Sequence, residues 1–113
     1  MNLDNTKAQM RKGVLEMCIL ALLAREDLYT SDIIEKLKNS HLVVVEGTLY
    51  PLLTRLKNAG LLNYYWQEST SGPPRKYFKI THEGTSFLNE LKDSWMEINE
   101  AVSLTTQNQT IHE

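Results

Sequence analysis

A mainly α-helical fold with one small β-hairpin and a long last helix is what the sequence predicts, on three observations. Leu49, Leu52, Leu53 and Leu56 recur at i, i+3, i+4 and i+7, the single apolar stripe of an amphipathic helix. Two alternating runs, residues 61–67 and 75–81, flank the turn sequence Ser69-Thr70-Ser71-Gly72-Pro73-Pro74 and read as strand, turn, strand. Leu88, Leu91, Trp95, Ile98 and Val102 then follow at intervals of 3, 4, 3 and 4 residues, a two-heptad seam.

The 113 residues suffice for one domain with a modest core and are too few for two. A content of 42% hydrophobic and 23% charged residues is ordinary for a globular domain. The apolar run at residues 14–24 contains Glu16 and falls short of the roughly 20 residues a membrane span needs. No basic and apolar leader opens the chain, so no secretory signal is expected. The single Cys18 has no partner in the chain and reads as a buried thiol of a reducing cytoplasm. The net charge of −2 averages two unlike parts: residues 1–81 hold eleven Lys/Arg against eight Asp/Glu (+3), and residues 82–113 hold one against six (−5). A basic body with an acidic C-terminal segment implies two surfaces with separate tasks.

Taken in order, residues 1–6 are polar and expected to be loose. Residues 7–25 lack proline, with Met10, Val14, Met17, Cys18, Ala21 and Leu22 at helical spacing and Leu15, Ile19, Leu20 and Leu23 on the other sides. The second half of this helix is therefore predicted to be buried nearly all round. Lys7, Gln9, Arg11 and Lys12 at its amino end face either a phosphate backbone or water. Glu26-Asp27-Leu28-Tyr29 reads as a polar connector, with Thr30 and Ser31 as caps of a short helix that buries Ile33, Ile34 and Leu37. Asn39-Ser40-His41 ends it, and an apolar link at residues 42–45 leads into the striped helix, expected to begin near Glu46 and to tolerate Pro51. Gly60 closes that helix, since glycine enters the left-handed conformation without a Cβ penalty. Its outward residues are Thr48, Tyr50, Thr54, Arg55, Lys57 and Asn58, a hydrogen-bonding and cationic set suited to phosphates and base edges.

Helix, helix, helix and hairpin make the winged helix-turn-helix plan. Residues 1–81 are assigned to that domain, residues 82–105 to a C-terminal dimerisation helix capped by Thr81, and residues 106–113 to a flexible tail. The seam packs either on the chain's own first helix or on a second copy across a two-fold axis. The second copy is favoured, because the first helix is apolar enough to need a further partner.

The blocks Gly47-Thr48-Leu49-Tyr50-Pro51-Leu52-Leu53, Arg55-Leu56 and Gly60-Leu61-Leu62, followed by Gly72-Pro73-Pro74-Arg75-Lys76-Tyr77-Phe78 and Ile80-Thr81, resemble the PadR family. Those are bacterial winged-helix transcriptional regulators named for control of phenolic acid decarboxylase. The resemblance runs from about residue 13 to residue 102, and the single last helix is similar to the short-tailed subgroup. It implies a homodimeric repressor joined mainly by the first and last helices. The recognition helix would enter the major groove of a pseudo-palindromic double-stranded operator, with the hairpin on the backbone. Some short-tailed members place a tryptophan of the last helix in an interface cavity that binds flat aromatic compounds, and Trp95 matches that position. The chain departs from the pattern at Val45, where a capping residue often stands, and at Thr30-Ser31-Asp32, where a Gly-Tyr-Glu-like run is common.

The candidate DNA contacts are therefore Thr48, Tyr50, Arg55, Lys57, Arg75 and Lys76; the Tyr50 ring either reaches a base or packs on the connector. The candidate effector site is Trp95 with Met96, Met17 and Cys18 as soft walls, the alternative being that Trp95 only packs. The candidate dimer interface is Val14, Leu88, Leu91, Trp95, Ile98 and Val102. No enzyme is expected. His41, His82 and His112 show no ligand spacing, there is no Cys pair, and no nucleophile or phosphate-loop motif appears, so neither metal nor cofactor is called for. The competing reading is a winged helix that docks on a protein instead of DNA.

Overall fold

The computed structural model describes residues 1–107. Its elements are α1 (Leu3–Leu23), β1 (Leu28–Tyr29), α2 (Thr30–Asn39), α3 (Glu46–Asn58), β2 (Leu62–Gln67), β3 (Arg75–Ile80) and α4 (His82–Thr106). The three strands form one antiparallel sheet in the order β1-β3-β2. The mainly helical fold with a winged helix-turn-helix and a long last helix stands as the sequence predicts.

Several boundaries differ from expectation. The residues expected to be loose are helical: α1 starts at Leu3, because the Asn2 side chain accepts a hydrogen bond from the Asn5 N–H at 3.2 Å and Asp4 favours the positive end of the dipole. The polar connector contains β1, whose Leu28 and Tyr29 pair with Phe78 and Tyr77. Thr30 does not cap α2; it is the first helical residue and is buried, while Tyr29 holds the cap position without a side-chain bond. Of the residues assigned to a tail, Thr106 closes α4, and residues 108–113, with His112, lie outside the described residues.

The core is where apolar side chains of the helices and the sheet meet. Ile19, Leu20 and Leu23 of α1, Ile33 and Leu37 of α2, and Leu49, Leu53 and Leu56 of α3 are sealed from water, with Phe78 of β3 and Leu88 of α4 closing the ends. In α1 the best-buried side is Leu15, Ile19, Leu20 and Leu23, while Met17, Cys18, Ala21 and Leu22 are half-buried at its margin. Each residue of the α3 stripe is buried, so the helix runs through Pro51, which sits on its exposed side. Val45 caps α3 with its backbone alone: its carbonyl accepts from both Thr48 N and Leu49 N at 3.0 Å.

Both helices of the helix-turn-helix end in the same capping turn. At α3 the Leu61 N–H reaches back to the Leu56 carbonyl and the Gly60 N–H to Lys57, each at 3.0 Å, with Gly60 at φ 80°. At α2 the Leu42 N–H bonds Leu37 at 2.8 Å and the His41 N–H bonds Lys38 at 2.9 Å, with His41 in the left-handed region at φ 67°. Thr81 then joins α3 to α4. Its hydroxyl donates to the Gly60 carbonyl at 2.7 Å and accepts from the Gly84 N–H at 3.0 Å, and its own N–H bonds the Leu61 carbonyl at 3.0 Å. One residue thus caps the last helix and is bonded to the end of the recognition helix.

Candidate nucleic-acid interface

The buried stripe of α3 leaves three outward strips, set by the helical repeat. Gly47, Pro51, Thr54 and Asn58 lie opposite the stripe and are exposed. Tyr50 and Lys57, about two turns apart, share the flank toward β2 and β3, where they border a small cavity with Tyr64, Lys76 and Phe78. Thr48 and Arg55, also about two turns apart, share the flank toward α1. The six predicted contacts are therefore not one cluster.

Arg55 is the clearest departure. Its guanidinium forms a fork on the Glu16 carboxylate of α1, Nε donating to Oε2 at 3.1 Å and Nη2 to Oε1. The pair is largely exposed on the Arg55 side, so its contribution to stability is small. What it does is hold the Arg55 head over α1 and away from the outer strip. Sequence reasoning had no view of Glu16, which is 39 residues away.

The strand register sorts the wing residues in the same way. Tyr64 pairs with Phe78 and Trp66 with Lys76 on the sheet face toward α3; Tyr65 pairs with Tyr77 and Gln67 with Arg75 on the other. Lys76 lies over Tyr64 at 4.0 Å and Phe78 at 5.3 Å. Arg75 is carried to the outer face, where its guanidinium covers the Tyr29 ring at 4.8 Å and donates to the Tyr29 hydroxyl at 3.2 Å. Tyr77 sits between Tyr29, edge-on at 5.4 Å, and Tyr65, stacked at 5.7 Å. The Tyr65 hydroxyl donates to Asp27 at 2.8 Å, and this bond to a carboxylate holds the phenol above its ordinary pKa. Thr54 and Asn58, expected to face outward but not counted among the six contacts, belong to this polar surface, as does Tyr64. A helical wheel centred opposite the leucine stripe finds the first two.

On the far side of α3 a groove of about 1020 Å³ runs between α1 and α4. Val14 and Met17 of α1, Leu91, Trp95, Ile98 and Val102 of α4, and Arg55 and Leu56 of α3 with its C-cap Ala59 all line it. The recognition helix is thus one wall of this groove. Two predicted effector residues are not brought to it: Met96 is one position round the helix from Trp95 and points elsewhere, and Cys18 turns to the core. Burial pushes the Cys18 thiol above its usual pKa, so thiolate is scarce at neutral pH. The seam also divides. Leu88 is buried in the chain's own core and Leu91 is half-buried, so Leu88 is not available to a second copy. Trp95, Ile98 and Val102 remain 44%, 56% and 52% exposed. No helix among the described residues is long and apolar enough to cross a membrane.

A family described as the transcriptional regulator PadR-like family matches residues 19–90. The solved structure of a PadR-like transcription factor from Bacteroides fragilis is 64% identical, covers 90% of this chain and 99% of its own, and superposes with a TM-score of 0.75. A PadR-family transcriptional regulator from Eggerthella lenta is 32% identical with a TM-score of 0.84, covering 91% and 90% of the two chains. A PadR-like transcriptional regulator from Bacillus cereus is 40% identical with a TM-score of 0.73, covering 93% and 99%.

Proposed function

Because the chain belongs to the PadR-like family of transcriptional regulators, a non-enzymatic family, we propose that it is a homodimeric repressor that reads a pseudo-palindromic operator in the cytoplasm. The observation that carries this reading is the outer surface of α3 with the wing. Tyr50, Thr54, Lys57, Asn58, Tyr64 and Lys76 border one cavity there, and no carboxylate is among its lining residues. Thr48 and Tyr50, near the amino end of α3, reach base edges, the usual role of that end of a recognition helix. Lys57 and Lys76 neutralise phosphates. Arg75, on the outer sheet face, serves the backbone only where the duplex bends past the wing.

The partner copy is argued from α4. The helix carries a row of exposed apolar side chains that its own domain leaves uncovered, and a second copy covers such a row symmetrically. Two recognition helices tied through α4 read half-sites about 34–36 Å apart, one turn of DNA. A planar aromatic effector between Trp95 and Met17 would press on a groove whose wall is α3 itself. Through Thr81, a tilt of α4 is also a tilt of α3, so a ligand preferring one dimer shape changes operator affinity.

Fluorescence anisotropy with a duplex from upstream of the protein's own gene, against a scrambled duplex, tests the DNA reading. Affinity for the first is expected to fall on the order of 10³-fold between 50 and 200 mM salt, as it does for a protein touching several phosphates per subunit. Equal, salt-insensitive binding to both duplexes, with no sequence enriched from a random pool, would turn the reading toward protein docking. The effector is tested by tryptophan fluorescence. A planar aromatic compound should quench it saturably, and Trp95→Ala should abolish the effect. Quenching that persists in that variant assigns the ligand to Trp66, 63% exposed on β2, instead.

A further inference from the structure

We infer that Lys57 of α3 and Lys76 of β3 share a single phosphate, held in the cavity beside the Tyr64 ring between the recognition helix and the wing. The inference rests on the DNA-binding reading and names one site within it. Three observations carry it. Both ammonium groups lie over the same ring, Lys57 Nζ at 5.7 Å and Lys76 Nζ at 4.0 Å from its centre. Both border a cavity of about 170 Å³ whose other lining residues include Tyr50, Thr54 and Asn58. Neither is in an ion pair among the described residues, whereas Arg55 is paired with Glu16 and Lys36 with Glu26 at 3.7 Å.

Two like charges brought to one ring repel each other, and the negative ring face offsets only part of that cost. An anion between them removes the repulsion and gains two charge-assisted contacts. The cavity volume equals about five or six water molecules, room for the five heavy atoms of one phosphate group. Thr54 and Asn58 offer neutral donors at its wall, and the Tyr50 hydroxyl another. The shared chemistry is a phosphate with two free oxygens, available from a nucleic-acid backbone or from inorganic phosphate. The backbone is the occupant inferred here, because one lysine comes from the helix aimed at the groove and the other from the hairpin beside it. A phosphate held by both fixes the spacing of helix and wing along the duplex.

The test is the salt dependence of operator binding in Lys57→Gln, Lys76→Gln and the double variant. Counterion release scales as about 0.9 per neutralised phosphate in log–log slope. A shared phosphate predicts that the double variant loses about 0.9 of slope per subunit, no more than one phosphate. Each single variant should weaken binding about tenfold and the double variant by little more than that, not a hundredfold. Tyr64→Phe, which keeps the ring face, should bind as the parent does. Additive losses, with about 1.8 of slope gone per subunit, mean two separate phosphates and overturn the inference. A parent protein with no salt-sensitive operator binding overturns the DNA reading itself, which is a different result. Inorganic phosphate titrated into the free protein supplies the last arm. Saturable shifts of the Tyr64 ring signals combined with additive DNA slopes would place a free-anion site there, and the shared backbone phosphate would fall.

Discussion

Gly84→Ala is expected to destabilise the fold by about 3 kcal/mol, although alanine is the better helix former. Gly84 is buried in the first turn of α4, and a Cβ there would fall inside contact distance of the Leu61 carbonyl oxygen and 2.7 Å from Ile80 Cγ1. The first obstacle is backbone, held in place because the same carbonyl accepts the Thr81 N–H. To make room α4 must lift, and lifting it strains the bonds of Thr81 to Gly60, Leu61 and Gly84 together. Overpacking costs about 1–3 kcal/mol and a lost N-cap about 1, against a helix-propensity gain of about 1. A domain of this size has roughly 5–15 kcal/mol in all. Gly47→Ala is the control: nothing lies within 4 Å of a Cβ there, so the same chemical change should stabilise α3 by up to about 1 kcal/mol. Urea unfolding of both variants at one protein concentration reads the difference. Equal midpoints would show that α4 is not seated on Leu61 as described.

The same joint shows where sequence reading stops. The leucine stripe of α3, its start near Glu46, the cap at Gly60 and the alternation of β2 and β3 are local patterns, and the chain folds as they dictate. Gly84 carries no such mark. A glycine in the first turn of a helix is unremarkable until the Leu61 carbonyl arrives from more than twenty residues earlier. β1 escaped for the same reason, since two residues become a strand only by pairing with Phe78 and Tyr77. The Arg55–Glu16 fork moved one predicted contact off the polar surface, and the pleat of β3 moved Arg75 to the opposite face from Lys76. The alternation of residues 75–80 was legible. Which face α3 would cover was not, because that depends on Leu62 and Phe78, which share one face of the sheet, being the buried residues.

The double variant Ile98→Asp, Val102→Asp is expected to be a monomer that has lost roughly 10²–10⁴-fold of its operator affinity. The expectation follows from the geometry of α4. At about 1.5 Å per residue its 25 residues span about 37 Å, yet only Gly84 and Leu88 are buried, both in the first two turns. The helix reaches beyond the body of a molecule 65 Å long and 30 by 21 Å across. Its far half carries Trp95, Ile98 and Val102 on one side, each about half exposed along the groove beside α1. Burial of an Ile or Val side chain contributes about 1.5–3 kcal/mol, and a two-fold interface counts each substitution twice. Four carboxylates in such an interface add desolvation that is offset only in part, since Arg55 in the same groove is held by Glu16 and leaves Arg11 as the other cation lining it. Every 1.4 kcal/mol is tenfold in dissociation constant, so micromolar protein should run as a monomer in sedimentation. Operator affinity falls because two half-sites read by linked heads gain roughly 10²–10⁴ from the link alone. The head should stay folded, because its core residues are untouched; the circular dichroism of α1–α3 and the binding of a single half-site at low salt report that. A variant that remains dimeric with full operator affinity would show that the seam is not what joins the two copies. One that is monomeric yet binds the whole operator undiminished would show that a single head suffices.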